Sequence, residues 1–375
     1  MKSFYVKCLV VFGVFIAIAA GSVKLYDDYF ISRYSLVNGL DHYGFHDEKQ
    51  KQSIQRLFQM ASIIPADKTI EECFPKRASG IEFISDITKV VEATKTHFTL
   101  RSGNQERWEV SPQEWMLQNK EKIISDLKTL GFISAISPRH KYTDAVCILG
   151  ASAQRMEYRI RYANFLIGSG MKVRSVILLA GERYATKGID GSQESLSEVA
   201  RKFGLNDWKK VTETHLIQYI YSKSALNSRK DIFVHVIDTP RRDLPRPTTQ
   251  TTIMELIKWL KSHREVQDIV FVSNQPYVKY QKAVIDSIFK AQNVTVKYEV
   301  VGGPVLDATN PQAILEGLGT FIWAASPSLL YSIKTESKNL SPELMAIEEE
   351  TKQKLKDLYS QSPFIYQTLP ANLRP

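Results

Sequence analysis

Between residues 144 and 301 the chain alternates short β-rich apolar runs with segments of helical apolar spacing. That alternation leaves few folds open. The runs are 144–150 (DAVCILG), 174–181 (RSVILLAG), 231–238 (DIFVHVID), 267–273 (QDIVFVS) and 294–301 (VTVKYEVV). Helices are expected between and after them, near 154–168, 193–204, 212–226, 250–262 and 277–292. The strand runs are nearly continuous in apolar residues, as expected when helices cover both faces of a sheet. Parallel strands need long crossovers, and right-handed ones predominate. The expected fold class is therefore α/β, a doubly wound and mainly parallel sheet of about five strands.

The flanks read differently. Residues 25–142 form a polar, mostly helical region without a chemical signature. Apolar residues at helical spacing (Ile54, Leu57, Phe58, Ala61, Ile64) predict a helix over 47–64, stopped by Pro65. The segments 97–100 and 108–110, on either side of Arg101-Ser102-Gly103-Asn104-Gln105, predict a hairpin. Ser111-Pro112-Gln113-Glu114 supplies a helix start, and that helix should run to Leu130 and stop at Gly131. In the tail, Asn310-Pro311 caps one helix, and Ser341-Pro342-Glu343 opens another to about Tyr359. The expected division is 1–24, an export segment; 25–142, a helical region with a small hairpin; 143–305, the α/β domain; and 306–375, a helical extension.

The export segment rests on Lys2 and Lys7 followed by an uncharged run, CLVVFGVFIAIAAGSV, over 8–23. A basic start, an apolar run and small residues at 17–21 match a signal peptide or an uncleaved signal-anchor. No second long apolar run is evident, so at most one span is expected. The expected location is the inner membrane or periplasm, with secretion also open. The full 375 residues are 43% hydrophobic and 24% charged, with 18 Gly, 15 Pro and 3 Cys, which excludes collagen-like, disordered, disulfide-stapled and multi-span classes. Cys8, Cys73 and Cys147 have no Cys-x-x-Cys spacing, so neither a zinc site nor a redox pair is expected. His42 and His46 sit beside Asp41 and Asp47, but Tyr43-Gly44-Phe45 breaks a helix there and no third ligand follows; no metal is assigned. The net charge of +9 points to an anionic partner. Aromatic and basic residues do not interleave as single-strand nucleic-acid binding requires, and no nucleic-acid partner is expected.

In an open parallel sheet, ligands bind beyond the carboxyl ends of the strands. The residues there are rich in hydroxyl, amide and guanidinium groups, and several helix N-termini should face the same cleft. The candidate ligand-binding residues are Gly150, Ser152, Arg155, Gly181, Arg183, Arg246, Thr248, Thr251, Ser273 and Asn274. Arg241 and Arg242 are further candidates for bidentate anion contacts. Residues 239–264 hold six Lys/Arg against two Asp/Glu, which concentrates the basic surplus here. Glu213 and Asp238 are the candidate acid/base groups, with Glu182 and His215 also near the expected cleft. His235, inside an apolar strand, reads as a core residue. The G-x-G-x-x-G and P-loop patterns and the G-x-S-x-G elbow are absent, so dinucleotide, P-loop and α/β-hydrolase chemistry are poor fits. The cofactor is unknown.

Residues 143–305 resemble the domain of unknown function family 218, the SanA, ElyC and YdcF-like proteins. The resemblance rests on Ile148-Leu149-Gly150 followed by Arg159-Ile160-Arg161-Tyr162-Ala163, on Leu178-Leu179-Ala180-Gly181, and on Thr212-Glu213. Asp238, Gln250-Thr251 and Val272-Ser273-Asn274 stand where further motifs fall. It implies a Rossmann-like fold, frequent membrane anchoring and a role in maintaining the bacterial envelope. The chain departs from the family pattern at Gln250, Ile253-Met254, Tyr277 and Tyr280-Gln281, the positions closest to a ligand. No family activity is carried over.

The resulting expectation is an exported or membrane-anchored envelope protein that binds a phosphorylated or nucleotide-like anion at the carboxyl edge of its sheet. Whether it is an enzyme is left open; hydrolysis or transfer at phosphate is the expected chemistry if it is one. The alternative is a non-catalytic binding or scaffold protein that retains the fold without the family's polar motif. A secreted factor acting on a host is a third class compatible with the amino terminus.

Overall fold

The computed structural model describes residues 34–374, apart from 78, 102–104, 243, 245, 334–339 and 361. The export segment expected over residues 1–24 lies outside the described residues. The elements in chain order are α1 (Leu36–His42), α2 (Glu48–Met60), α3 (Ile70–Cys73), α4 (Gly80–Thr94), α5 (Glu114–Gln118), α6 (Lys120–Thr129), β1 (Tyr142–Leu149), α7 (Ala153–Gly168), β2 (Lys172–Gly181), α8 (Gln193–Lys202) and α9 (Glu213–Ser222). There follow β3 (Phe233–Thr239), α10 (Thr249–Ser262), β4 (Asp268–Asn274), α11 (Val278–Ala291), β5 (Lys297–Gly303), α12 (Pro311–Ser332), α13 (Pro342–Tyr359) and α14 (Pro363–Gln367).

The five strands form one all-parallel sheet in the order β3-β2-β1-β4-β5, a doubly wound, Rossmann-like arrangement. Strand side chains alternate between two layers, as a period of two requires. Val146 and Ile148 of β1, Val176 and Leu178 of β2, and Val270 and Val272 of β4 pack against α7, α8 and α9. Ala145, Cys147, Leu149, Ile177, Leu179 and Phe271 point the other way, onto α10 and α11. Because β1 is followed on one side by β2 and on the other by β4, the chain reverses direction across the sheet between those two central strands. The loops after them part there and leave a crevice.

The second layer is thicker than a doubly wound sheet needs. The helices before β1 and those after β5 join the same apolar cluster as α10, α11 and that face of the sheet. The helical region and the tail thus share one core with the α/β unit. At its centre lies α12, with Pro311 at its first turn and Pro327 within it. By length and composition α12 also qualifies as a membrane span, which the sequence reading missed, but 83% of its apolar window is buried inside the protein. Gly317 and Gly319 let it lie close to its neighbours: a Cβ at Gly317 would stand 2.6 Å from Pro276, and one at Gly319 would stand 2.9 Å from Thr99 Oγ1.

Four local expectations are corrected. β3 is an edge strand that is not covered on both faces, since Phe233 is 74% exposed and Val234 and Val236 are exposed too. The hairpin over 97–110 is instead a π-helical turn (Lys95–Thr99), a left-handed Leu100 and a single 3-10 turn (Arg107–Glu109). The helix expected from residue 111 begins at Glu114 and breaks at Asn119, whose side chain donates to Trp115 O and competes with the helical ladder. The helix expected over 212–226 ends at Ser222. Gly131 does stop α6, at φ +78°, where a side chain would be strained.

Candidate functional site

A cavity of about 430 Å³ opens at the carboxyl edge of the sheet, a size that suits a small-molecule ligand. Its floor is the β1–α7 turn (Leu149, Gly150, Ala151, Ser152), and the start of α10 (Thr248, Thr249, Gln250) forms one side. Lys95, Thr99, Arg101, Glu106 and Arg107, with Thr320 and Trp323 of α12 and the end of α13, close it from the helical layer. Among the described residues, six arginines and Lys95 line it, against the carboxylates of Glu106, Glu213 and Asp357. Among the described residues, no group of three His, Cys, Asp or Glu side chains converges in a way that would hold a metal ion.

Local sequence explains the floor. Ser152 caps α7 in extended conformation, yet its hydroxyl makes no capping bond. The first amide of α7, Ala153 N–H, donates instead to Asp190 Oδ1 at 3.0 Å. A helix N-terminus with an uncommitted hydroxyl beside it is a natural seat for an anion. Gly150 is required by contact: a Cβ there would stand 2.0 Å from Glu213 Oε1 and 3.1 Å from Ala180 Cα. Nearly two α7 turns further on, Arg159 is buried and ties the crevice together. It donates to Leu149 O at 2.8 Å, to Gly150 O at 2.7 Å and to Asn274 Oδ1 at 2.9 Å, and so links the ends of β1 and β4. Burial, reinforced by the neighbouring Arg155 and Arg107 charges and opposed by Glu213, pulls its pKa down to about 9.

Arg183, just after β2, organises the acids. Its Nη1 donates to Asp190 Oδ2 at 2.9 Å, its Nη2 to Ala151 O and Asp190 Oδ1 at 3.1 Å each, and its Nε to Glu213 Oε2 at 2.9 Å. Burial disfavours the Arg183 charge, but Asp190 and Glu213 more than offset it and hold the pKa above the ordinary value. Glu213 sits at the first position of α9, and burial raises its carboxyl pKa even though Arg183 pulls the other way. A carboxyl with a raised pKa that faces a polar cavity suits proton transfer.

The far wall is basic as well. Arg101 and Arg107 both place Nε 2.9 Å from Glu316 Oε1, on a residue that is only 1% exposed. The Arg107 guanidinium lies over the Tyr277 ring at 4.0 Å and that of Arg155 at 4.9 Å, so the two walls meet on one buried phenol. Arg246 pairs with Glu106 at 3.0 Å. Its pKa is lowered by burial, with Arg107, Arg101 and Arg183 adding to the effect and Glu106 opposing it. Like charges held together in this way are a standing cost that a bound anion would relieve.

Of the residues singled out from sequence, Gly150, Ser152, Arg155, Arg183, Glu213, Arg246 and Thr248 line the cavity. Five do not. Asp238 is exposed and accepts a 2.6 Å bond from Thr214. Gly181 lies beneath Pro247. Thr251 is consumed in the capping box of α10, where its hydroxyl donates to Thr248 O at 2.9 Å. Ser273 is buried within β4, and Asn274 acts through Arg159. Arg241 and Arg242 stay on the surface, bonded to Leu244 O and to Glu255. Glu182 accepts from the Arg241 amide. His215 closes the capping box of α9, since its Nδ1 accepts from Thr212 N–H at 3.0 Å. His235 is half-buried at the sheet edge, against Trp259 and His263, and is not a core residue.

Sequence reasoning missed the far wall: Lys95, Arg101, Glu106 and Arg107 come from the region without a signature. The only local signal was the basic residue opening the 101–105 turn. Comparison with protein-family models gives no match, and neither does comparison with curated proteins.

Proposed function

We propose that this protein binds a phosphorylated, anionic small molecule in the cavity at the carboxyl edge of its sheet. The supporting observation is the convergence of six arginines there, three from the α/β unit's β1–α7 and β2 segments and the others from the far wall and the α10 approach. The unused Ser152 hydroxyl at the α7 N-terminus adds a second anion-directed feature. If the protein acts on its ligand, Glu213 is the residue placed to move a proton, and hydrolysis or transfer at phosphate is the reaction class that suits an arginine-lined site. Asp238 has no part in this reading, because it does not reach the cavity.

The resemblance to the domain of unknown function family 218, together with the basic and apolar amino terminus, supports placing this activity at the bacterial envelope, with the chain exported or held at the inner membrane. A second reading, a non-catalytic binding or scaffold protein, draws support from Tyr277. It stands where the family carries His, and it is 1% exposed beneath Arg107, so its phenol is not open to a ligand.

The test is a thermal-shift panel of phosphorylated ligands on the wild-type protein, Arg155→Ala and Arg246→Ala. A stabilisation seen in wild type and reduced in both variants is expected. Equal shifts in all three, or no shift with any ligand, would overturn the cavity assignment. Phosphate release from hits, lost in Glu213→Gln while binding persists, separates the catalytic reading from the binding one.

A further inference from the structure

Building on the anion-binding reading, we infer that the ligand carries two adjacent phosphates, a diphosphate rather than a monophosphate. The argument is one of charge placement. Arg183 has two carboxylates of its own and Arg246 has Glu106, so these two cations are already balanced. Arg155 and Arg159 have no carboxylate within ion-pair distance among the described residues; Arg159 is satisfied by two carbonyls and an amide. On the opposite wall, Arg101 and Arg107 share the single carboxylate of Glu316, which leaves one charge over.

The surplus therefore sits in two places, at the end of β1 and at Arg101 and Arg107, and not in one cluster. A single tetrahedral phosphate satisfies one of them. The two places are close: Arg107 and Arg155 rest on the same Tyr277 ring, so one diphosphate can bridge them. A phosphate oxygen on each guanidinium gives charge-assisted contacts that neither wall supplies alone. A donor left over supports a filled site: Arg101 lines the cavity, and its buried Nε makes no hydrogen bond although it lies 2.9 Å from Glu316 Oε1. Trp323 and Leu358 at the α12–α13 end give whatever the diphosphate is attached to an apolar surface.

Calorimetric titration of the full-length protein at fixed ionic strength tests this, with orthophosphate and the non-hydrolysable methylenediphosphonate as probes. The diphosphonate should bind at least about tenfold tighter, the effect of one added charge-assisted contact. Arg155→Gln should weaken both probes. Arg101→Gln, which leaves Glu316 paired with Arg107, should weaken the diphosphonate about tenfold more than it weakens orthophosphate. Lys95→Gln, on an exposed side chain of the same wall, should give the same split in smaller measure. Equal affinity for the two probes, or equal losses of both in the far-wall variants, overturns the diphosphate assignment while the anion site stands. If neither probe binds, the anion site itself falls. Uridine diphosphate and a short alkyl diphosphate, used as competitors, identify the substituent; failure of both to displace the diphosphonate also counts against the proposal.

Discussion

Arg183 Nε donates to Glu213 Oε2 at 2.9 Å, and the same guanidinium grips Asp190 through its other two nitrogens. Asp190 in turn accepts from the first amide of α7 and from Thr186 N–H. One arginine thus sets the position of the candidate proton-transfer group and of the helix N-terminus that faces it. Arg183→Ala leaves two buried carboxylates without their partner, and a loss of about 3–5 kcal/mol in urea unfolding is expected. Arg183→Lys should recover only part, because an ammonium cannot reproduce the fork. A loss below about 1 kcal/mol for the alanine variant, the range of exposed pairs, would show that the network is not what holds this corner.

Gly150→Ala probes the contact between the β1 turn and Glu213. The added methyl must displace Glu213 Oε1 and press on Ala180 Cα, so a loss of about 1–3 kcal/mol is expected. Ligand stabilisation in the thermal-shift panel should fall with it. Full retention of both would mean that the turn relaxes freely.

Glu316→Gln keeps the shape of the α12 side chain and removes the charge that Arg101 and Arg107 share. Two arginine charges then face each other across a buried site, and unfolding should cost about 3–5 kcal/mol less. Because Glu316 anchors the far wall, limited trypsin digestion should also cleave after Arg101 and Arg107 sooner than in wild type. Unchanged cleavage would separate that wall from Glu316.

Lys279 carries a pH dependence. Its ammonium lies over Phe45 at 4.8 Å, Phe132 at 5.4 Å and Phe321 at 5.8 Å, and burial pulls its pKa down to about 8. The unfolded lysine titrates near the usual ~10.4. Between these values the unfolded chain holds a proton that the folded chain has released, so stability rises with pH from about 8 to about 10; the penalty is fully present below 8. In Lys279→Met this rise should disappear relative to wild type in urea unfolding across that range. Parallel pH profiles for the two proteins would refute it.

The strands and the helices between them were legible because the information is local. β-branched runs such as 174–181 and helical apolar spacing such as that in 277–292 each state their element within one window. The cavity floor was legible for the same reason, since a doubly wound sheet binds at its strand ends whatever the ligand. Errors came where tertiary neighbours overrule local pattern. Thr251 and His215 looked like cleft residues, but each hydrogen-bonds within its own helix cap. Phe233 reads as core, yet it opens the edge strand of the sheet and is 74% exposed.

By itself the sequence determined the α/β class, the strand positions and the β1–α7 and β2 halves of the site, because periodicity and β-branching act over a few residues. Only the tertiary structure decided that the cavity has a second basic wall. Lys95, Arg101 and Arg107 precede β1 in the chain and carry no motif; they reach the sheet edge because the early helices and α12 share one apolar core with it. Burial of that core sets their distance from Arg155, and no spacing along the chain encodes it.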